Sequence, residues 1–244
     1  MRKFIYIAIA ITIIGLYSYL KKAREVAANS AQKRTWPAPV DESKQPPVAA
    51  DLASRNYYII FDGSGSMERD GCSNGRSKID VAKESLEKFA ANVPETANLG
   101  LAVFDARGVA EEVPLGRENR SDFIAKVKAV FPGGATPLKS AMALGSEKLE
   151  EQARRQLAYG EYNLVVVTDG EASAGEDPRS IVADLLLNSP VVVHTIGFCI
   201  SGDHSLNQPG KTVYKAANEP EQLTKGLEEV LAESETFDVA TFGN

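Results

Sequence analysis

The sequence has no surplus of positive charge: 27 Lys and Arg stand against 33 Asp and Glu, a formal net charge of -6. A surface built to neutralise nucleic-acid phosphates needs the opposite balance, so no nucleic-acid partner is expected. The chain also lacks a Gly-x-x-x-x-Gly-Lys phosphate loop and a His-Glu-x-x-His helix, which removes the usual signatures of nucleotide hydrolases and zinc proteases. Histidine is scarce, and both copies read as ordinary residues: His194 lies within an apolar run and His204 in a polar loop. Cysteine is equally scarce. Cys72 and Cys199 are the whole supply, and such a pair reads as a disulfide in an exported domain but as two free thiols in cytosol.

Charge is absent altogether between Arg2-Lys3 and Lys21-Lys22. The apolar run over residues 4–20 sits at the short end of the membrane-spanning range of about 17 to 25 residues, and Tyr17 and Tyr19 suit the lipid boundary. Small residues suited to a signal peptidase, Ala27 and Ala28, come only after the basic cluster, so residues 1–24 are expected to be an uncleaved anchor rather than a signal peptide. The location expected is a bacterial inner membrane, with the domain on the periplasmic side, because a short tail carrying Arg2 and Lys3 is poorly translocated. Residues 25–54 lack any sustained apolar period, and Trp36-Pro37-Ala38-Pro39 and Gln45-Pro46-Pro47 bar a continuous helix. They are expected to be a flexible tether to a domain over residues 55–244.

Within that domain, the aromatic and branched run Tyr57-Tyr58-Ile59-Ile60-Phe61 stops at Asp62, followed by Gly63-Ser64-Gly65-Ser66. Asp62, Ser64 and Ser66 recur every second residue, so an extended or looped backbone can aim all three oxygens at one point. Hard oxygens suit magnesium, manganese or calcium rather than zinc or copper. Taken alone, the same composition is ordinary for a turn. Two distant stretches add weight: Gly133-Gly134-Ala135-Thr136-Pro137 carries a hydroxyl in a glycine-rich loop, and Leu164-Val165-Val166-Val167-Thr168-Asp169-Gly170 ends a second apolar run on an aspartate. Together the three stretches resemble the von Willebrand factor type A domain and its metal-ion-dependent adhesion site. The resemblance covers roughly residues 57–234. It implies that Asp62, Ser64, Ser66, Thr136 and Asp169 hold one magnesium-class ion, with manganese or calcium as alternatives, and that a partner protein's carboxylate completes the coordination.

Periodicity supplies the remaining elements. Ser77 and Asp80 form a capping box before a helix with Ile79, Ala82, Leu86, Phe89 and Val93 on one face. Strands follow at residues 99–104 and 111–115, the second marked as an edge by Pro114. A helix opens near Ser121, another follows Thr136-Pro137, and a third begins at Asp177-Pro178. Strands at 162–169, 191–198 and 211–215 and a last amphipathic helix over 218–234 complete the series. Such alternation predicts an α/β fold, a three-layer, doubly wound, mostly parallel sheet with helices on both faces; the resemblance implies the same arrangement with one antiparallel edge strand, matching the turn at Arg107-Gly108.

The function expected is metal-dependent protein binding, in adhesion or assembly, without catalysis. A strand ending in aspartate above magnesium also describes the haloacid-dehalogenase phosphatases, but the second acid they need two positions on is here Ser64. A structural envelope protein whose metal merely stiffens the fold is the other alternative. Glu171, Glu176 and Asp177 could form a second cation site, but the reading preferred is Asp177 as a helix cap with the others in solvated loop.

Overall fold

Every residue of β1 (Arg55–Asp62) after the first, and every residue of β2 (Asn98–Asp105), is buried, as a strand covered on both faces must be. The computed structural model describes residues 35–200 and 204–233. The apolar run at 4–20 and the tail at 234–244 lie outside these; among the described residues no helix is long and apolar enough to cross a membrane.

The sheet has six strands in the order β3-β2-β1-β4-β5-β6, with β3 at Gly108–Gly116, β4 at Glu161–Thr168, β5 at Val192–Phe198 and β6 at Val213–Ala217. All neighbouring pairs are parallel except β2 with β3. Pro114 lies on that antiparallel edge strand, where its missing N–H costs least. Alternate side chains of β1 serve two cores. Tyr57, Ile59 and Phe61 meet α1 (Lys78–Asn92), α2 (Arg120–Lys128) and α5 (Pro220–Glu233), while Tyr58 and Ile60 meet α3 (Leu138–Arg155) and α4 (Arg179–Asn188). The chain leaves β1 toward β2 on one side and returns to β4 on the other, so the switch point lies between the ends of β1 and β4. That is where open α/β sheets bind ligands.

Two local expectations are altered. The helix expected to open near Ser121 starts from Asn119, whose amide caps nothing and instead donates to the carbonyls of Leu99 and Pro114, at 2.6 and 3.0 Å. The tether expected as far as residue 54 is, from Trp36 onward, part of the compact unit Trp36–Asn244. Trp36 packs edge-on against Tyr162 with ring centroids 4.9 Å apart. The Ala38 N–H donates to the Glu150 carboxylate at 2.7 Å, and Arg154 Nε returns a bond to the Ala38 carbonyl at 3.0 Å. Proline bars a continuous helix here, leaving only the single 3-10 turn Glu42–Lys44, but it also makes an extended chain cheap to order, and an aromatic anchor with three backbone bonds is enough to hold it; the third runs from the Ala49 N–H to the Arg155 carbonyl.

At the amino-terminal end of the sheet, buried amides bond across the strands. Asn98 Nδ2 donates to Asn56 Oδ1, and Asn56 Nδ2 to Gln156 Oε1, each at 2.8 Å. Asn163 Nδ2 reaches the Asn56 carbonyl, and His194 Nε2 donates to Asn163 Oδ1 at 3.1 Å. Burial, with a smaller contribution from the Lys215 cation, holds His194 down to about 4, outweighing the Glu233 carboxylate 3.7 Å from Nδ1. An unfolded histidine titrates near 6.5. The stability linked to neutral His194 is therefore complete above that value and is lost as the pH falls through 4, about 3 kcal/mol over the window. Urea denaturation at pH 7 and pH 4.5 should show wild type losing more stability on acidification than His194→Gln. Equal losses would refute this assignment.

Candidate metal centre

Asp62 closes β1 fully buried, and both carboxylate oxygens accept hydrogen bonds: Oδ1 from the Ser64 N–H at 2.7 Å, Oδ2 from the Thr168 hydroxyl at 2.5 Å. The chain then turns through Gly63, where a Cβ would stand 2.7 Å from Val130 Cγ1 and 3.0 Å from the Phe104 carbonyl. Glycine is required there by close approach. Backbone bonds join this first loop to the second: the Gly133 N–H donates to the Gly63 carbonyl at 2.8 Å, and the Gly65 N–H to that of Gly134 at 3.3 Å. Gly134 supplies the left-handed turn, with φ of 80°.

Thr136 is locked to the third loop in the same manner. Its N–H donates to Ser173 Oγ, and its carbonyl accepts the Ser173 N–H, both at 3.0 Å. Its hydroxyl does not cap α3, whose N-cap is Pro137. Instead it faces Gly170 alongside Ser66: a Cβ built on that glycine would lie 4.0 Å from Thr136 Oγ1 and 3.7 Å from Ser66 Oγ. Ser66 Oγ donates to Asp169 Oδ1 at 2.6 Å and stands 3.0 Å from Ser64 Oγ. Because the Ser66 proton is directed at a carboxylate, the Ser64 hydroxyl donates to Ser66. The structure thus brings Asp62, Ser64, Ser66, Thr136 and Asp169 together at the switch point.

Three residues that support this cluster carry no signal in the sequence. Thr168 reads as the end of a strand. Lys78 reads as a solvated first-turn residue beside the apolar stripe of α1, yet its Nζ lies 2.8 Å from Asp169 Oδ2 in a buried ion pair. His204 is buried rather than exposed in a polar loop. Its Nδ1 accepts the Leu206 N–H at 3.0 Å, so Nε2 carries the proton and donates to the Gly170 carbonyl at 3.0 Å. Its ring also stacks on Tyr214.

The acidic residues of the third loop are dispersed. Glu171 accepts from the Ser205 N–H, Glu176 from the Ser140 N–H and hydroxyl at the start of α3, and Asp177 from the Arg179 N–H and guanidinium. Gly71-Cys72-Ser73-Asn74-Gly75 spells the Gly-x-Ser-x-Gly of hydrolase elbows. Ser73, however, is fully buried, and its hydroxyl meets the carbonyls of Asp70 and Arg76 rather than a base. Cys72 is joined to Cys199 by a disulfide with the Cα atoms 5.6 Å apart, linking the loop before α1 to the end of β5.

The donor set suits a hard cation, being hydroxyls and carboxylates; among the described residues no three His, Cys, Asp or Glu side chains converge. Electrostatics point the same way. Burial chiefly, with Asp169 adding its charge, pushes Asp62 up to about 6, and among the described residues no Lys, Arg or His forms an ion pair with it. A fully buried carboxylate without a cation is costly.

A family model described as the von Willebrand factor type A domain matches residues 56–238. The Bacillus subtilis protein YwmD is 30% identical over 200 residues, 74% of this chain and 87% of that protein. Among solved structures, an aerotolerance-related membrane protein from Bacteroides fragilis superposes with a TM-score of 0.56 at 16% identity, covering 72% of this chain and 98% of that one. The pilus adhesin SpaC from Lactobacillus rhamnosus GG gives 0.57 at 15% identity, covering 78% of this chain and 31% of the adhesin. At such identities the likeness is one of fold.

Proposed function

This chain belongs to the von Willebrand factor type A domain family, and from that premise we propose that it is a protein-binding module working through a divalent cation of the magnesium class. Asp62, Ser64, Ser66, Thr136 and Asp169 would hold the ion, and residues 1–24 would anchor the domain at the outer face of a bacterial inner membrane. The observation that carries the reading is the convergence of three hydroxyls and two carboxylates, one of them fully buried and, among the described residues, without a cationic partner. When bound, the cation would supply an open position for an anionic oxygen. Serine and threonine are neutral donors, so they would leave much of its charge to attract a carboxylate from another protein.

A role in adhesion or assembly at the envelope agrees with two fold neighbours, the pilus adhesin and the aerotolerance-related membrane protein. The test is affinity capture from the host membrane fraction with the chain lacking residues 1–24, comparing wild type, Ser66→Ala and wild type in chelator. Partners lost in both controls are expected. Partners retained in both would contradict the proposal.

A further inference from the structure

We propose that Lys78 sets the charge of the metal centre so that a bound cation keeps its affinity for a partner's carboxylate; this rests on the function proposed above. Asp169 divides its oxygens. Oδ1 faces the Ser66 hydroxyl inside the cluster, and Oδ2 faces the Lys78 ammonium. The aspartate side chain is fully buried and the lysine side chain only 10% exposed. The lysine is held in place from several directions. Its N–H donates to the Arg69 carbonyl at 2.9 Å. Gly71, at a φ of 41°, closes over its stem so tightly that a Cβ there would stand 2.8 Å from Lys78 Cε, and the adjacent Cys72 is tied to Cys199.

The consequence follows from counting charges. Two aspartates and a divalent cation sum to zero, so the pull that the neutral hydroxyls leave on the ion is opposed by the two carboxylates beside it. Lys78 raises the sum to plus one, and an incoming carboxylate returns it to zero. The lysine therefore weakens cation binding and strengthens carboxylate binding. A lysine that merely scaffolded the loop would help both, so the two roles differ in sign.

The test uses the purified full chain as wild type, Lys78→Met and Lys78→Gln, the glutamine keeping a donor for Asp169 should methionine prevent folding. Magnesium affinity is read by calorimetry. Acetate affinity at saturating magnesium is read from the NMR shifts of the Gly65, Gly134 and Gly170 amides. The neutral variants are expected to bind magnesium about tenfold more tightly and acetate about tenfold more weakly, the scale of one unit charge a few ångströms away in a partly screened site. Both affinities falling together, or acetate binding unchanged, would overturn the role of Lys78. A wild type that binds no magnesium would overturn the metal reading itself, and this one with it.

Discussion

Asp62→Asn is expected to make the metal-free domain more stable than wild type, by about 3 kcal/mol at pH 7.5, while abolishing its magnesium affinity. In the fold, burial pushes the Asp62 carboxyl up to about 6, whereas an unfolded aspartate titrates near 3.9. The folded state therefore holds the proton more firmly. The stability linked to protonation is fully present below the unfolded value and is lost as the pH rises through about 6. Above that, the metal-free domain carries a destabilising charge at the end of its central strand. Asparagine removes the charge and keeps the shape: its Oδ1 accepts the Ser64 N–H as the carboxylate does, and its amide can donate to the Thr168 hydroxyl, which already faces the Gly170 carbonyl. Urea denaturation in chelator at pH 7.5 and pH 4 isolates the effect, because the advantage of the variant should shrink toward zero at the lower pH. A variant less stable than wild type in chelator at pH 7.5 would sink the idea.

Loss of the Cys72–Cys199 disulfide should cost more. The bridge closes a loop of 127 residues, and the chain-entropy relation assigns such a closure about 5 kcal/mol. For a domain of ordinary stability that is a large share of the total. The Cys72→Ser/Cys199→Ser variant should therefore unfold at much lower urea than oxidised wild type, and reduced wild type should match it. The loop so released runs between Ser66 and Lys78 and carries the Gly71 contact with the lysine, so magnesium affinity should change along with stability. Coincident unfolding curves for oxidised and reduced protein would refute the estimate.

The architecture was legible because its elements state themselves locally. Tyr57-Tyr58-Ile59-Ile60-Phe61 and Leu164-Val165-Val166-Val167 have the branched and aromatic density of strands buried on both faces, and the Ser77 box fixes the start of α1. Spacing singled out Asp62, Ser64 and Ser66, the family resemblance added Thr136 and Asp169, and the structure brings these five side chains together. Lys78, His204 and Trp36 were illegible for a common reason: each acts through a residue far away in sequence. Lys78 pairs with Asp169, His204 holds Gly170 in place, and Trp36 covers Tyr162. Local pattern assigns a lysine at a helix start to solvent and a proline-flanked tryptophan to a linker. Only tertiary contact reverses those assignments.

The buried amides at the far end of the sheet act as the zero mark of a ruler. Asn56 stands six residues before Asp62, and Asn163 six before Asp169, so the Asn163 amide bonding to the Asn56 backbone aligns two equal lengths of strand. The intervening residues are interchangeable hydrophobics, Ile59 and Ile60 beside Val165 and Val166, and they would bury nearly as well if the strands slid by two positions. Such a slide would part the two aspartates by about 7 Å. The amide bonds would not survive it, since the partners they require would no longer be opposite. The distance between the two carboxylates is thus measured out from a point about 20 Å away, by residues that never approach the cluster.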